Sequence, residues 1–422
     1  MPRLLRFHYA WVVVVVTFLV LLVSAGIRAA PGVLIKPLEG EFGWDRASIS
    51  LAIAVSILAF GFGAPLSGGL IDRFGPRRVM LGGLVLVTAG LVPLIWMREL
   101  WQLHLFWGVL TGLGTGAVSN VLGATIALEW FRSHRGVVVG AFAAASSAGQ
   151  LIFLPSLVAV VLLVGWRGAM GLLAATAVVL LVPVLLWMRN RPSDRGLRPF
   201  GARSEGVDDA ADRAEGERRT SLRDAARTRD FWLLAGSFFI CGYTSNGLIG
   251  THLMPHAVEH GFSEVTAASA LAVMGTMNIV GTLASGWLTD RYDNRRLLAL
   301  YYGFRAISIA FLPFILEVPL LFGFAVIYGL DWIATVPPTA NLTAKLYGRA
   351  SLGSIYGWIF CSHMVGAALA AYLGGVFRDT LGDYTVIFVS AAALGLVAVA
   401  LSMRISVPGV ERQAPTRAAA GA

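Results

Sequence analysis

Long apolar runs separated by short polar segments recur along the whole chain. Twelve begin near residues 10, 46, 78, 101, 136, 167, 231, 264, 297, 318, 353 and 384, and crossing a bilayer as a helix takes about 20 mainly apolar residues. Six precede residue 190 and six follow residue 230. The first, WVVVVVTFLVLLVSAG behind Arg3 and Arg6, carries a β-branched run from Val12 to Val16 that would suggest a strand in water. Lipid reverses that reading, because only helices and closed barrels satisfy the backbone there and the alternation of a barrel strand is missing. Its basic start resembles a signal peptide, yet it continues into Arg28 and Gly32 without a small-residue cleavage site and reads as an uncleaved first span. The pattern predicts an all-α membrane protein of twelve transmembrane helices in two six-helix bundles. Residues 1–190 form the first, 191–229 a linker, and 230–422 the second with a short tail.

A repeat supports the division. GGLIDRFGPRR, Gly68 to Arg78, returns about half a chain later as GWLTDRYDNRR, Gly286 to Arg296, each time between two apolar runs. A spaced repeat in an apolar chain indicates a duplicated bundle, the architecture of secondary transporters. The copies share the frame G-x-x-x-D-R-x-x-x-R-R and differ at Gly75 against Asp293, so a tight turn is less assured in the second.

Composition and charge then narrow the classes. With 57% hydrophobic and 14% charged residues, the chain carries more apolar surface than a soluble fold buries. If the amino terminus is cytoplasmic, the loops and tails on that side hold 26 Lys and Arg, and the opposite side holds Lys36, Arg46, Arg98, Arg167 and Arg378. This positive-inside imbalance places both termini in the cytoplasm, in the inner membrane of a bacterium by this reading. The net charge of +9 therefore describes topology and contact with lipid, and no nucleic-acid partner is expected. The linker mixes signs, carries Pro192 and Pro199, and reads as a flexible tether ending in a short amphipathic helix within SLRDAARTRDFW. Cys241 and Cys361 fall inside spans, and no Cys/His cluster has metal-ligand spacing, so neither a disulfide framework nor a metal is indicated. No phosphate loop of the G-x-x-x-x-G-K-[ST] type is present, which argues against nucleotide-driven work and leaves gradient-driven transport without a cofactor.

The repeated frame between spans 2 and 3 and between spans 8 and 9 resembles the signature loop of the major facilitator superfamily, and the resemblance covers nearly the whole chain. It implies a gate on the cytoplasmic side built from Asp72, Arg73, Arg77, Arg78, Asp290, Arg291, Arg295 and Arg296, latching the halves when the cavity faces out. The alternative for these arginines is loop anchoring to anionic lipid. Within the superfamily the chain is similar to bacterial monocarboxylate and oxalate/formate-type carriers. The likeness rests on RAAPGVLIKPLEGEFGW (Arg28 to Trp44), RPSDRGLRPFG (Arg191 to Gly201) and YGWIFCSHMVG (Tyr356 to Gly366). The departures are as informative. The carboxylate-holding arginine of span 8 in such carriers is replaced by Gly281 or Thr282, the span 11 lysine of the oxalate type by His363, and the first-span lysine aligns near Ala29, beside Arg28.

Charges inside spans cost about 2.5 to 3.5 kcal/mol each and so point to a cavity or a partner. Arg28 is the candidate clamp for a substrate carboxylate, against the alternative that its head reaches the interface. Arg305 and Asp331 reach comparable depth from opposite ends of spans 9 and 10; they form either a structural pair or a proton-exchanging carboxylate tuned by an arginine. His252 and His363 are further titratable groups, His252 for proton coupling as well as binding. Asn246 stands where the repeat places the equivalent of Arg28, and Asn120 and Tyr356 complete the candidate binding set. The expected function is alternating-access transport of a small organic anion of the monocarboxylate class with a proton, by a protein that works as a monomer in the bilayer. The alternative is a proton-coupled exporter of drugs or other amphiphiles; span 5 lacks the GPxxGG pattern of many of these. An enzyme is not expected, since no nucleophile-and-base set is clustered.

Overall fold

The computed structural model describes residues 8–202, 220–289, 291–348 and 351–406, and among these every long element is a helix. The first half contains α1 (Ala10–Phe42), α2 (Arg46–Phe74), α3 (Pro76–Leu94) and α4 (Leu100–Trp130). It ends with α5 (135–164) and α6 (166–187), which continue into one another as Arg135–Trp187. The second half contains α7 (Arg229–Glu259), α8 (Glu264–Thr289), α9 (Asn294–Phe314), α10 (Val318–Tyr347), α11 (Leu352–Leu381) and α12 (Thr385–Met403). The Val12 to Val16 run is helical, as the lipid argument requires. Between α5 and α6 the break is a single residue, Gly165, at φ 77°. A side chain there would be strained, and the glycine lets two crossings meet without a loop. Pro155 lies inside α5 with helical backbone dihedrals.

Two crossings are interrupted near mid-depth, and the repeat relates them. In α4 the helix breaks at Val118 and Ser119, directly before Asn120; in α10 it breaks at 332–335, before Pro337 and Pro338. Proline supplies no N–H, so the carbonyls one turn back lose their partners. In hydrocarbon those groups need others. The Ser285 hydroxyl donates to the Ala334 carbonyl, and Asn278 Oδ1 accepts the Ile333 N–H at 3.1 Å. Arg305 of α9 caps the first half of α10, its Nη2 donating to the carbonyls of Asp331 at 2.7 Å and Trp332 at 3.0 Å. Its Nε donates to Asp331 Oδ2 at 2.7 Å, and its Nη1 to Cys241 Sγ at 2.9 Å. The guanidinium is thereby both the counter-charge of Asp331 and the plug of a broken helix.

The halves meet where α2 lies along α11 and α5 along α8. Close approach depends on the small residues of GAALAAYLGG: a Cβ on Gly374 would lie 2.4 Å from the His252 ring, and one on Gly375 would lie 2.6 Å from Ser50 Oγ across the interface. The linker differs from the expectation of a free tether. Phe200 pairs with the α4–α5 connection, its N–H donating to the Trp130 carbonyl at 2.8 Å and its carbonyl accepting from Arg132 at 2.9 Å. Its ring packs with those of Trp11 and Phe131. The aromatic anchor outweighs the turn-forming composition around it. The short helix Leu222–Ala226 is present, buries Ala225, and is preceded by Thr220 hydrogen-bonded to Ser351 Oγ and the Tyr347 carbonyl.

Asp331→Ala should strand a buried guanidinium and destabilise the fold by about 3 to 5 kcal/mol. Both cysteines are buried, so thermal unfolding followed by thiol labelling reads this directly. An unchanged midpoint would show that the pair does not support the break in α10.

Candidate functional site

At mid-depth, side chains from four crossings of both halves form a continuous group. Arg28 of α1 lies over the Phe60 ring of α2, its guanidinium carbon 4.3 Å from the centroid. Phe60 meets Phe360 of α11 edge-on at 6.4 Å, and Phe360 stacks on His363 at 5.8 Å with an interplanar angle of 11°. His363 Nδ1 donates to the Phe238 carbonyl at 3.1 Å, which leaves Nε2 to accept from Asn246 Nδ2 of α7 at 3.3 Å. Tyr356 stands one turn from Phe360, rings 6.5 Å apart. Thus Arg28, Asn246, His363 and Tyr356, singled out from sequence, are brought together; Phe60 and Phe360 complete the group and were missed.

The charge state of this group sets it apart. Among the described residues Arg28 has no carboxylate and no hydrogen-bond partner, and its Nε is buried. The ring of Phe60 offsets part of the cost of that cation, but a guanidinium carries five donors suited to a carboxylate. Asn246 sits in a π-helical stretch, Tyr243–Ile249, a local widening frequent at functional positions. The arrangement suits an anion entering between the halves.

The other candidates lie elsewhere. Arg305 and Asp331 are 1% and 5% exposed and engaged with each other and with α10, although Asp331 Oδ1 keeps no partner. His252 is fully buried, its Nε2 donating to the Ala371 carbonyl at 2.7 Å and its Nδ1 accepting from the Tyr384 hydroxyl at 3.2 Å. Both ring nitrogens are thus engaged outside the central group. The backbone of Asn120 starts the second part of α4; its side chain lies outside the described residues.

Far from the linker, a network unrecognised in the sequence closes the two halves. Glu259, at the end of α7, receives Lys36 Nζ at 2.7 Å, Arg46 Nη1 at 2.7 Å and Arg378 Nε at 2.8 Å. Arg46, whose side chain is 3% exposed, also forks onto Glu39 and donates to the Tyr384 hydroxyl at 2.7 Å. Asp379 of α11 caps α2 of the other half, accepting the Ala47 N–H at 2.6 Å. Isolated surface pairs contribute little, but a multidentate, largely buried cluster is destabilised strongly when one partner is removed. The only sequence signal was that these charges fall at the ends of spans.

On the linker face the arginines of the repeated loops are bonded within their own halves. Arg77 donates to the Leu185 carbonyl at 2.8 Å, and Arg73 lies over Phe74. Arg291 lies over Trp287, and Arg295 pairs with Asp293 at 2.9 Å. Arg78 and Arg296 are exposed. The side chain of Asp72 and the whole of Asp290 lie outside the described residues. Gly75 makes its turn at φ 81°, while Asp293 caps α9 by accepting the Arg295 N–H at 3.0 Å, so the unequal positions solve the turn in different ways. Partial burial raises the Asp293 carboxyl, but the bonds from Arg295 outweigh it and hold the group below its ordinary range. Among the described residues the arginines of the repeated loops make no bond to the opposite half, whereas the Glu259 end is tied across both.

Comparison with known proteins agrees with this architecture. An uncharacterized MFS-type transporter, YcxA, of Bacillus subtilis (strain 168) is 28% identical over 414 residues, covering 96% of each chain. Monocarboxylate transporter 13 of Rattus norvegicus is 27% identical, covering 91% of this chain and 86% of its own, and monocarboxylate transporter 12 of Homo sapiens is 25% identical, covering 90% and 77%. Among solved structures, a D-xylose-proton symporter superposes with a TM-score of 0.74 at 14% identity, covering 95% of this chain and 98% of its own. A bacterial homologue of the human lysosomal transporter Spinster gives 0.69 at 16%, covering 94% and 95%. The family model of the Major Facilitator Superfamily matches residues 17–371, and with two six-helix halves around a mid-depth site the chain belongs to that superfamily as a secondary transporter.

Proposed function

We propose that this transporter carries a small monocarboxylate together with a proton, and that Arg28 holds the carboxylate. The observation that carries the reading is the unpaired guanidinium at mid-depth, joined through the rings of Phe60 and Phe360 to His363 and Asn246 of the other half. A ligand that neutralises Arg28 while touching both halves favours their coming together around it, the condition for alternating access. The relatives named as monocarboxylate transporters support the same class. The excess of Lys and Arg on the linker face supports cytoplasmic termini in a bacterial inner membrane. In that orientation the Glu259 cluster is the outer gate and the repeated loops the inner one.

For the proton we favour His363 over Asp331 and His252. Its Nε2 accepts from Asn246, so protonation there would oppose two donors and turn the Asn246 amide, coupling the proton to the substrate site. Asp331 is held by Arg305 and His252 by Ala371 and Tyr384, which suits both to architecture.

In proteoliposomes, Arg28→Ala should lower uptake of a labelled monocarboxylate by about 30-fold or more, the consequence of removing a charge-paired anchor worth about 2 to 5 kcal/mol, and Arg28→Lys should retain part of it. Retained uptake in Arg28→Ala would refute the clamp. Pumping of a cationic dye by the pH gradient, with no monocarboxylate moved, would favour the exporter instead.

His363→Gln should keep substrate counterflow but lose accumulation driven by a pH gradient. Persistent proton-driven accumulation would exclude His363 as carrier.

Glu259→Gln removes the negative charge and one of the two accepting oxygens shared by Lys36, Arg46 and Arg378, and should open the outer gate. A cysteine at the buried Ser50 position, in a background without Cys241 and Cys361, should then react faster with an impermeant maleimide from outside. An unaltered labelling rate would show that the cluster does not gate.

A further inference from the structure

The immediate surroundings of Arg28 are aromatic. The guanidinium lies over Phe60, Phe60 abuts Phe360, and Phe360 is flanked by Tyr356 and the His363 ring. Phe360 and Tyr356 are half-buried, and the Tyr356 hydroxyl has no hydrogen-bond partner among the described residues. The hydroxyls nearest in α7 are turned away onto their own helix: Thr244 donates to the Ile240 carbonyl at 2.8 Å, Ser245 to that of Cys241, and Thr251 to that of Asn246. A short 2-hydroxy or 2-keto acid presents a second polar group one carbon from its carboxylate and needs a fixed donor or acceptor for it. Leaving that group unpaired in a desolvated site is costly. Beyond Arg28 and Asn246, which would hold the carboxylate, the one unpartnered hydroxyl among these side chains is that of Tyr356, at the far side of Phe360 from Phe60, and what lies between is ring.

We infer that the substrate is an aryl monocarboxylate, its carboxylate on Arg28 and Asn246 and its ring against Phe360 and Tyr356. The inference rests on the monocarboxylate reading and narrows it. A planar ring is taken by offset or edge-on contact with Phe360, for which an aliphatic side chain of similar size is no substitute. The Tyr356 hydroxyl is placed to serve a ring substituent or the carboxylate edge.

The test is uptake of phenylacetate and of lactate into proteoliposomes of the full chain under an imposed pH gradient, with the wild type and with Phe360→Leu, which keeps apolar volume and removes the ring. The wild type should take up phenylacetate with an apparent affinity about tenfold or more above that for lactate, and Phe360→Leu should lower the phenylacetate affinity about tenfold, a larger loss than it causes for lactate, so that the preference between the two acids narrows. Preference for lactate, or indifference of phenylacetate transport to Phe360→Leu, would overturn the aryl assignment while leaving the monocarboxylate reading intact. Movement of neither acid by a wild type that binds neither in a thermal-shift assay would overturn both. Thermal unfolding of Phe360→Leu at the wild-type midpoint certifies that a changed affinity belongs to the site.

Discussion

A charge inside hydrocarbon must be neutralised by something, and the organisation of this protein around mid-depth follows from how each is treated. Arg305 and Asp331 neutralise each other, and the same guanidinium caps the Asp331 and Trp332 carbonyls at the break in α10 ahead of Pro337 and Pro338. The break is therefore stable although it lies in the membrane. Arg28 has been given a ring in place of an acid. The contrast between a saturated arginine and an unsaturated one at similar depth separates architecture from binding more sharply than residue type does.

Two ends of the molecule are treated unequally. At one, Glu259 gathers Lys36 of α1, Arg46 of α2 and Arg378 of α11, and Asp379 caps the start of α2, so these five polar residues form a network that ties the halves together. At the other, the arginines of the repeated loops bond to carbonyls, rings and Asp293 of their own halves. His252 is tied through Tyr384 to Arg46 of the Glu259 cluster and through the Ala371 carbonyl to α11, apart from the group around Arg28. That group and the Glu259 cluster thus share helices but no side chain.

The relation between the duplicated sequence and the function follows from the same asymmetry. The repeat places equivalent breaks in α4 and α10 and equivalent loops after α2 and α8. It does not place equivalent chemistry: Arg28 is answered by Asn246, and the histidine beside Asn246 has no counterpart in the first half's contribution to the site. The two halves therefore bring unlike groups to this place: a cation and a ring from one, and a neutral amide, a histidine and rings from the other.

Hydropathy, the G-x-x-x-D-R-x-x-x-R-R repeat and the cost of intramembrane charge sufficed to read from sequence the twelve crossings, the division into halves, and Arg28, Asn246, His363 and Tyr356 as polar groups out of place in lipid. These depend on local composition and on a period, which a linear chain displays. The tertiary structure alone decided which of the buried polar residues meet. His252 and His363 look alike in sequence, yet one has both nitrogens engaged in a packed corner and the other faces Asn246. Phe60 and Phe360 were invisible among the apolar residues of their spans, since a ring that lines a site and a ring that fills a core differ only in what stands opposite. The Glu259 cluster was invisible for a related reason: the two ion pairs by which it joins the halves link residues more than 200 positions apart, and which span ends become neighbours is settled by helix packing, of which a one-dimensional charge pattern carries no record.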